Sequence, residues 1–124
     1  MHRVRILILD RQRDHATTLR MLFESRGCVV LSAEDAHTAL ELIATHVPDA
    51  LVIELDILGS GAVCNAVRDA NPRGAFVAGI SGLGVDECKC DFKLVKPYGF
   101  DDLTRRMDEF IERRAEEKRR SNGR

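Results

Sequence analysis

Three charged residues far apart in the chain each close a short apolar run. Asp10 follows Ile6-Leu7-Ile8-Leu9, Glu54 follows Ala50-Leu51-Val52-Ile53, and Lys96-Pro97 follows Phe92 to Val95. Runs of this length read as strands covered on both faces. If they are parallel strands of one open sheet, their carboxyl ends meet at a single crevice, where such sheets place their ligands. The result is an acidic pocket containing one lysine, with oxygens suited to a hard cation or to nucleophilic attack and an ammonium suited to stabilising an anion. Arg11, next to Asp10, brings an opposite charge into that pocket.

The elements that must position these residues alternate along the whole chain, the pattern of an α/β sheet with helices on both faces. Asp14 to Arg26 repeats Leu19, Leu22 and Phe23 at helical spacing, with Gly27 at the stop position. Cys28 to Leu31 reads as a strand, and Asp35 to His46 as a helix with Ala36, Ala39, Leu40 and Ile43 inward, ended by Val47-Pro48. A third helix opens at Ser60 or Gly61, and Asn71-Pro72-Arg73-Gly74 is a loop before the strand Ala75 to Ile80. From Leu83 to Cys90, Gly82 and Gly84 interrupt any helical period, leaving only Val85 and Cys88 as inward positions, so a helix here is expected to be shortened or missing. The last helix begins near Phe100 with Asp101 and Asp102 at its positive end, and its apolar stripe is Leu103, Met107, Phe110 and Ile111.

Composition limits what the protein does. At 124 residues the chain is one domain, 1–124, with a core from 4 to 113 and a charged helix end and tail from 114 to 124. A net charge of −1 supplies no field toward nucleic acid or an anionic membrane, and the absence of Trp argues against base stacking. The four apolar residues before Asp10 are too few for a signal sequence or a membrane span, so a cytoplasmic location is expected. Cys28, Cys64, Cys88 and Cys90 lack paired metal-site spacing and read as buried or incidental reduced thiols, the alternative being a redox or metal role for Cys88 and Cys90. His15, His37 and His46 fall on helices with no second ligand at i+4, which suits surface or helix-end roles. The basic residues of the last helix suit its negative end as solvated charges, Glu116 and Arg120 are spaced to pair, and Lys118-Arg119-Arg120 could instead dock on an acidic partner.

With this order of elements, and with Ile6 to Asp10, Pro48 to Glu54, and Lys96-Pro97-Tyr98 ahead of an Asp-Asp-Leu helix start, the chain resembles response-regulator receiver domains of two-component signalling. The resemblance implies a flavodoxin-like, doubly wound five-stranded parallel sheet of order 2-1-3-4-5, with Mg²⁺ and a phosphorylated Asp at its carboxyl edge. It matches Ser81 to the family's hydroxyl, Lys96 to its lysine and Asp10 to the first of two adjacent acids. Arg11 stands where the second acid, a direct metal ligand, is usual. Glu54 stands at the phosphoacceptor, and its extra methylene carries the carboxylate about 1.5 Å further out. Asp56 falls where a backbone carbonyl meets the metal, although on an extended strand its side chain would point with that of Glu54. The loop Leu58-Gly59-Ser60-Gly61 lacks the usual Pro, and Lys93 replaces the aromatic of the switch position.

These departures give a degenerate phosphoacceptor pocket of Asp10, Arg11, Glu54, Asp56, Ser81 and Lys96, with no catalytic residue expected. Arg11 is expected to reach the vacant metal position and pair with Glu54, Asp10 or Asp56, while Lys96 pairs with Glu54 from the other side. No cofactor is then expected; were Mg²⁺ held, Asp10, Glu54 and Asp56 would be its oxygens. The reading is a pseudo-receiver, not an enzyme, that acts as a phosphorylation-independent interaction module. Its partners would be signalling proteins such as a histidine kinase or an effector, with no nucleic acid or membrane, and its state a monomer or weak homodimer. The alternatives are a phosphorelay receiver modified at Glu54 or Asp56, and a small-ligand binder using the same crevice.

Overall fold

Apolar runs alternating with amphipathic stretches fold, in the computed structural model, into β1 (Arg5–Leu9), α1 (Arg13–Glu24), β2 (Val29–Ala33), α2 (Ala36–His46), β3 (Ala50–Glu54), α3 (Ser60–Ala70), β4 (Phe76–Ser81), β5 (Phe92–Val95) and α4 (Phe100–Asn122). The structure describes residues 3–82 and 89–122. The five strands form one parallel sheet of order β2-β1-β3-β4-β5. The expected gap in helix between β4 and β5 falls largely on residues 83–88, including Val85 and Cys88, which lie outside the described residues.

Successive strand side chains point to opposite faces, so each central strand feeds two cores. On one face Ile6, Ile8, Val30, Val52 and Ile80 pack with Leu19 and Phe23 of α1 and with Leu103, Met107 and Phe110 of α4. On the other, Leu7, Leu9, Leu51, Ile53 and Val77 pack with Ala39 and Ile43 of α2 and with Val63 and Val67 of α3. All four apolar residues of β1 from Ile6 to Leu9 are fully buried, each worth about 1.5–3 kcal/mol of transfer free energy. That burial fixes β1 at the centre of the sheet and Asp10 just past its end. Two residues expected inward lie nearer the edges of their helices: Leu22 is half-buried and Leu40 exposed.

Local chemistry sets the boundaries. Asp35 caps α2, its carboxylate accepting from Thr38 N–H at 2.8 Å. At the other end Pro48 stops the helix, and Val47 takes a left-handed conformation with φ 47°, not the extended one that a following proline favours. Gly59, with φ 89°, turns the chain into α3, and a methyl group there would meet Ala36 Cβ at 2.9 Å. Cys28 and Cys90 are reduced, whereas Cys64 is disulfide-bonded, which corrects the expectation of a reduced thiol at that position.

The charged end of α4 also departs from expectation. Arg114 is buried, donating to Asp49 Oδ1 at 2.8 Å and to the Gly74 carbonyl at 3.0 Å. Lys118 reaches the second Asp49 oxygen at 2.6 Å, which also accepts from the Arg5 N–H at 2.8 Å. Burial pushes the Asp49 carboxyl up, but these donors outweigh it and hold it below the usual carboxylate range. Asp49 therefore pins α4 to the amino end of β3, and neither Arg114 nor Lys118 is simply solvated. Glu116 and Arg120 do pair, at 3.2 Å.

Candidate functional site

The parallel ladder carries the site residues to one edge. Backbone bonds continue past the strand ends, with Asp10 N–H donating to Ala33 O at 3.1 Å, Leu55 N–H to Ile80 O at 2.7 Å and Lys96 N–H to Ser81 O at 2.9 Å. This brings Asp10, Glu54, Ser81 and Lys96 together at the carboxyl edge, and the first three are buried.

Two cations meet at Glu54. The Arg11 guanidinium donates through Nε to Oε1 at 3.3 Å and through a terminal nitrogen to Oε2 at 3.2 Å, while Arg11 N–H reaches Oε1 at 3.2 Å. From the other side Lys96 Nζ donates to Oε2 at 3.0 Å. The fork geometry of arginine suits a carboxylate, and the bonds are charge-assisted. Burial of Glu54 raises its pKa, yet the bonds from Arg11 and Lys96 more than offset this and hold it at about 2. Glu54 is thus a carboxylate at any physiological pH. Its side chain is 5% exposed, against 57% for Arg11 and 31% for Lys96, so the anion is covered and its partners keep contact with water.

Asp10 belongs to a second cluster. One oxygen accepts from Gln12 N–H at 2.8 Å, and the other is bonded to His15 Nδ1. The far ring nitrogen of His15, Nε2, lies 2.6 Å from the Tyr98 hydroxyl, and the imidazole stacks on Phe100 with ring centroids 5.6 Å apart. His15 is therefore not a surface residue, as its position on α1 suggested, but a bridge from Asp10 to the β5–α4 turn. The signal available in sequence was its spacing of five residues beyond Asp10, within the first turn of α1, where a helical side chain leans back toward the helix start and so toward the sheet edge.

Asp56 behaves differently from the extended-strand expectation, because β3 ends at Glu54 and the chain turns, with Ile57 N–H bonded to Glu54 O at 3.2 Å. Asp56 faces the end of β4, accepting from Gly82 N–H at 2.9 Å and, at 3.5 Å, from the Ser81 hydroxyl. Lys93 sits in β5 opposite Gly79 and is exposed. Among the pocket residues, Arg11 and Lys96 thus converge on Glu54, Ser81 turns to Asp56, and Asp10 is engaged by His15.

A hard cation such as Mg²⁺ needs about six oxygen ligands near roughly 2.1 Å. Here both oxygens of Glu54 hold cationic N–H groups, both of Asp10 are bonded to Gln12 and His15, and both of Asp56 accept from the end of β4. A guanidinium that never loses its charge lies against the central carboxylate. This donor set does not fit a hard divalent cation.

No family model matches the chain. It is 31% identical over 121 residues to the response regulator MprA of Mycobacterium ulcerans, covering 89% of this chain and 51% of that protein. The MprA of Mycolicibacterium vanbaalenii is 30% identical with the same coverage. The chain thus spans about half the length of the curated relatives it matches. Among solved structures, the Francisella response regulator 1452 receiver domain is 26% identical with a TM-score of 0.72, covering 89% of this chain and 98% of that one. The CheY-like receiver domain of Methanospirillum hungatei shares the fold with a TM-score of 0.79 at 18% identity, over 93% of this chain and 98% of that one. Among the described residues no helix is long and apolar enough to cross a membrane. The sheet order, the carboxyl-edge placement of Asp10, Glu54, Ser81 and Lys96, and these relatives together make the chain a member of the CheY-like response-regulator receiver domains of two-component signalling.

Proposed function

We propose that this receiver domain works without phosphorylation and without Mg²⁺, as a protein-interaction module in signal transduction whose partner is a histidine kinase or an effector. One observation carries the reading: both oxygens of Glu54 are held by Arg11 and Lys96. A carboxylate attacks phosphorus through a free lone pair with its charge neutralised on the phosphoryl side. Glu54 has its lone pairs directed at an internal guanidinium and ammonium, and the carboxylate is displaced by one methylene from where an Asp would place it. A misplacement of about 1 Å already costs on the order of 100-fold in rate.

The second reading is phosphorelay through Glu54 or Asp56, and the position of Asp56 favours it specifically. Its carboxylate lies between the Ser81 hydroxyl and the Gly82 N–H, two donors that could stabilise charge developing on a phosphoryl group. Intact mass after incubation with a small phosphodonor, with and without Mg²⁺, separates the two. The expected result is no added phosphoryl group in either condition. A Mg²⁺-dependent adduct would overturn the first reading, and its location on Glu54 or Asp56 would identify the acceptor.

A further inference from the structure

Asp10, His15 and Tyr98 form a continuous chain of hydrogen bonds from inside the carboxyl-edge pocket to its rim. Asp10 is buried and belongs to the β1 end, while His15 belongs to the first turns of α1. Tyr98 belongs to the turn between β5 and α4, two residues from Lys96 and two from Phe100. The three residues thus join elements that are otherwise separate in sequence. Around them lies a cleft of about 510 Å³ bounded by Gln12, His15, Lys96, Pro97, Tyr98 and Phe100. Phe100, stacked on the imidazole, is partly open to solvent.

An imidazole bridging two groups can pass a change from one to the other without any charge being carried across. In the tautomer that donates Nδ1–H to Asp10, Nε2 is an acceptor and takes the Tyr98 O–H. If the Asp10 oxygen is removed or claimed by another group, Nδ1 loses the acceptor that fixes this tautomer. With the proton on Nε2 instead, the bond reverses: Nε2–H donates to the Tyr98 oxygen, and the tyrosine O–H is turned away to find another acceptor. Tyr98 is half-buried and carries the turn that also presents Phe100, so an O–H that has lost its acceptor there favours a different turn position. We propose that His15 is a relay that couples the state of Asp10 to the position of Tyr98 and the β5–α4 turn, so that the pocket is read out at this aromatic corner. The coupling rests on the relay and not on whether Glu54 or Asp56 accepts a phosphoryl group. Its test can therefore fail while the phosphorylation-independent reading stands, and the reverse.

Tyr98 is the one tyrosine of the chain, and there is no tryptophan. Protein grown with tyrosine labelled at Cζ consequently gives a single resonance that reports this hydroxyl alone. We expect Asp10→Ala to shift that resonance at constant pH, His15→Phe to shift it as well, and Asp10→Ala made in the His15→Phe background to shift it much less than in the wild type. The cycle removes any direct field of Asp10 on Tyr98, which would act equally in both backgrounds. An unchanged resonance in Asp10→Ala, or an equal Asp10→Ala shift in both backgrounds, would overturn the relay. If Asp10→Ala does not fold, Asp10→Asn takes its place in the cycle; it is expected to move the resonance in the same direction by less, and the same two outcomes overturn the proposal.

Discussion

Replacing Glu54 by Gln removes the anion on which Arg11 and Lys96 converge while keeping its shape. Glu54 is held at about 2, below its ordinary 4.5. At about 1.36 kcal/mol per pH unit, the difference of about 2.5 corresponds to about 3 kcal/mol of stability. Because the folded-state value is the lower one, this contribution is complete above 4.5 and is lost as pH falls through 2. At pH 3 about 1.4 kcal/mol of it remains, so about 2 kcal/mol has gone. The measurement is urea unfolding of the wild-type protein and Glu54→Gln at pH 7 and at pH 3. At pH 7 the variant is expected to be less stable, by less than about 3 kcal/mol, because Arg11 and Lys96 are 57% and 31% exposed and water takes over part of their solvation. Between pH 7 and pH 3 the gap is expected to narrow by about 2 kcal/mol, whatever Asp49 and the other carboxylates contribute, since those are common to both proteins. A gap that stays constant within about 0.5 kcal/mol, the scale of extrapolation error, would show that Glu54 is not held ionised by its two partners.

Two further substitutions probe the scaffold. Asp49→Asn leaves Arg114, 4% exposed, and Lys118 without their anion; breaking such a buried pair costs about 3–5 kcal/mol, and a urea-unfolding loss below about 1 kcal/mol would refute the pinning of α4 to β3. Gly59→Ala puts a side chain at φ 89° and a methyl 2.9 Å from Ala36 Cβ, which cannot swing away. A loss of about 1–3 kcal/mol is expected, read as a lower melting temperature, and an unchanged one would refute the close approach of α2 and the turn before α3.

Much of the frame was legible because it depends on local periodicity. The strands at Ile6 to Leu9 and Ala50 to Ile53 are apolar throughout because both faces of a central parallel strand are covered, and a run of that kind is visible in the sequence itself. Helix ends at Gly27 and Pro48 are equally local. Leu22 and Leu40 were less legible, because helical spacing identifies a stripe but not how far around the helix the neighbouring layer reaches. The two ion clusters show the same limit. Opposite charges on Arg11 and Glu54, after the ends of two adjacent strands, allow their pairing to be anticipated, since a parallel register puts such positions at one edge. Nothing comparable flags Asp49 and Arg114, which are brought together across the amino edge of the sheet by the packing of α4.

By itself, then, the sequence determined the alternation of elements, the parallel sheet, the edge at which Asp10, Glu54, Ser81 and Lys96 meet, and the opposite charges of Arg11 and Glu54 at that edge. Only the tertiary structure decided how those charges are shared. It gave both oxygens of Glu54 to Arg11 and Lys96, turned Ser81 and Gly82 toward Asp56, and placed His15 between Asp10 and Tyr98. The physical reason is that a side chain's element and face follow from neighbours a few residues away, whereas its partner depends on which other elements arrive within about 3 Å, and that is settled only when both cores close on the sheet.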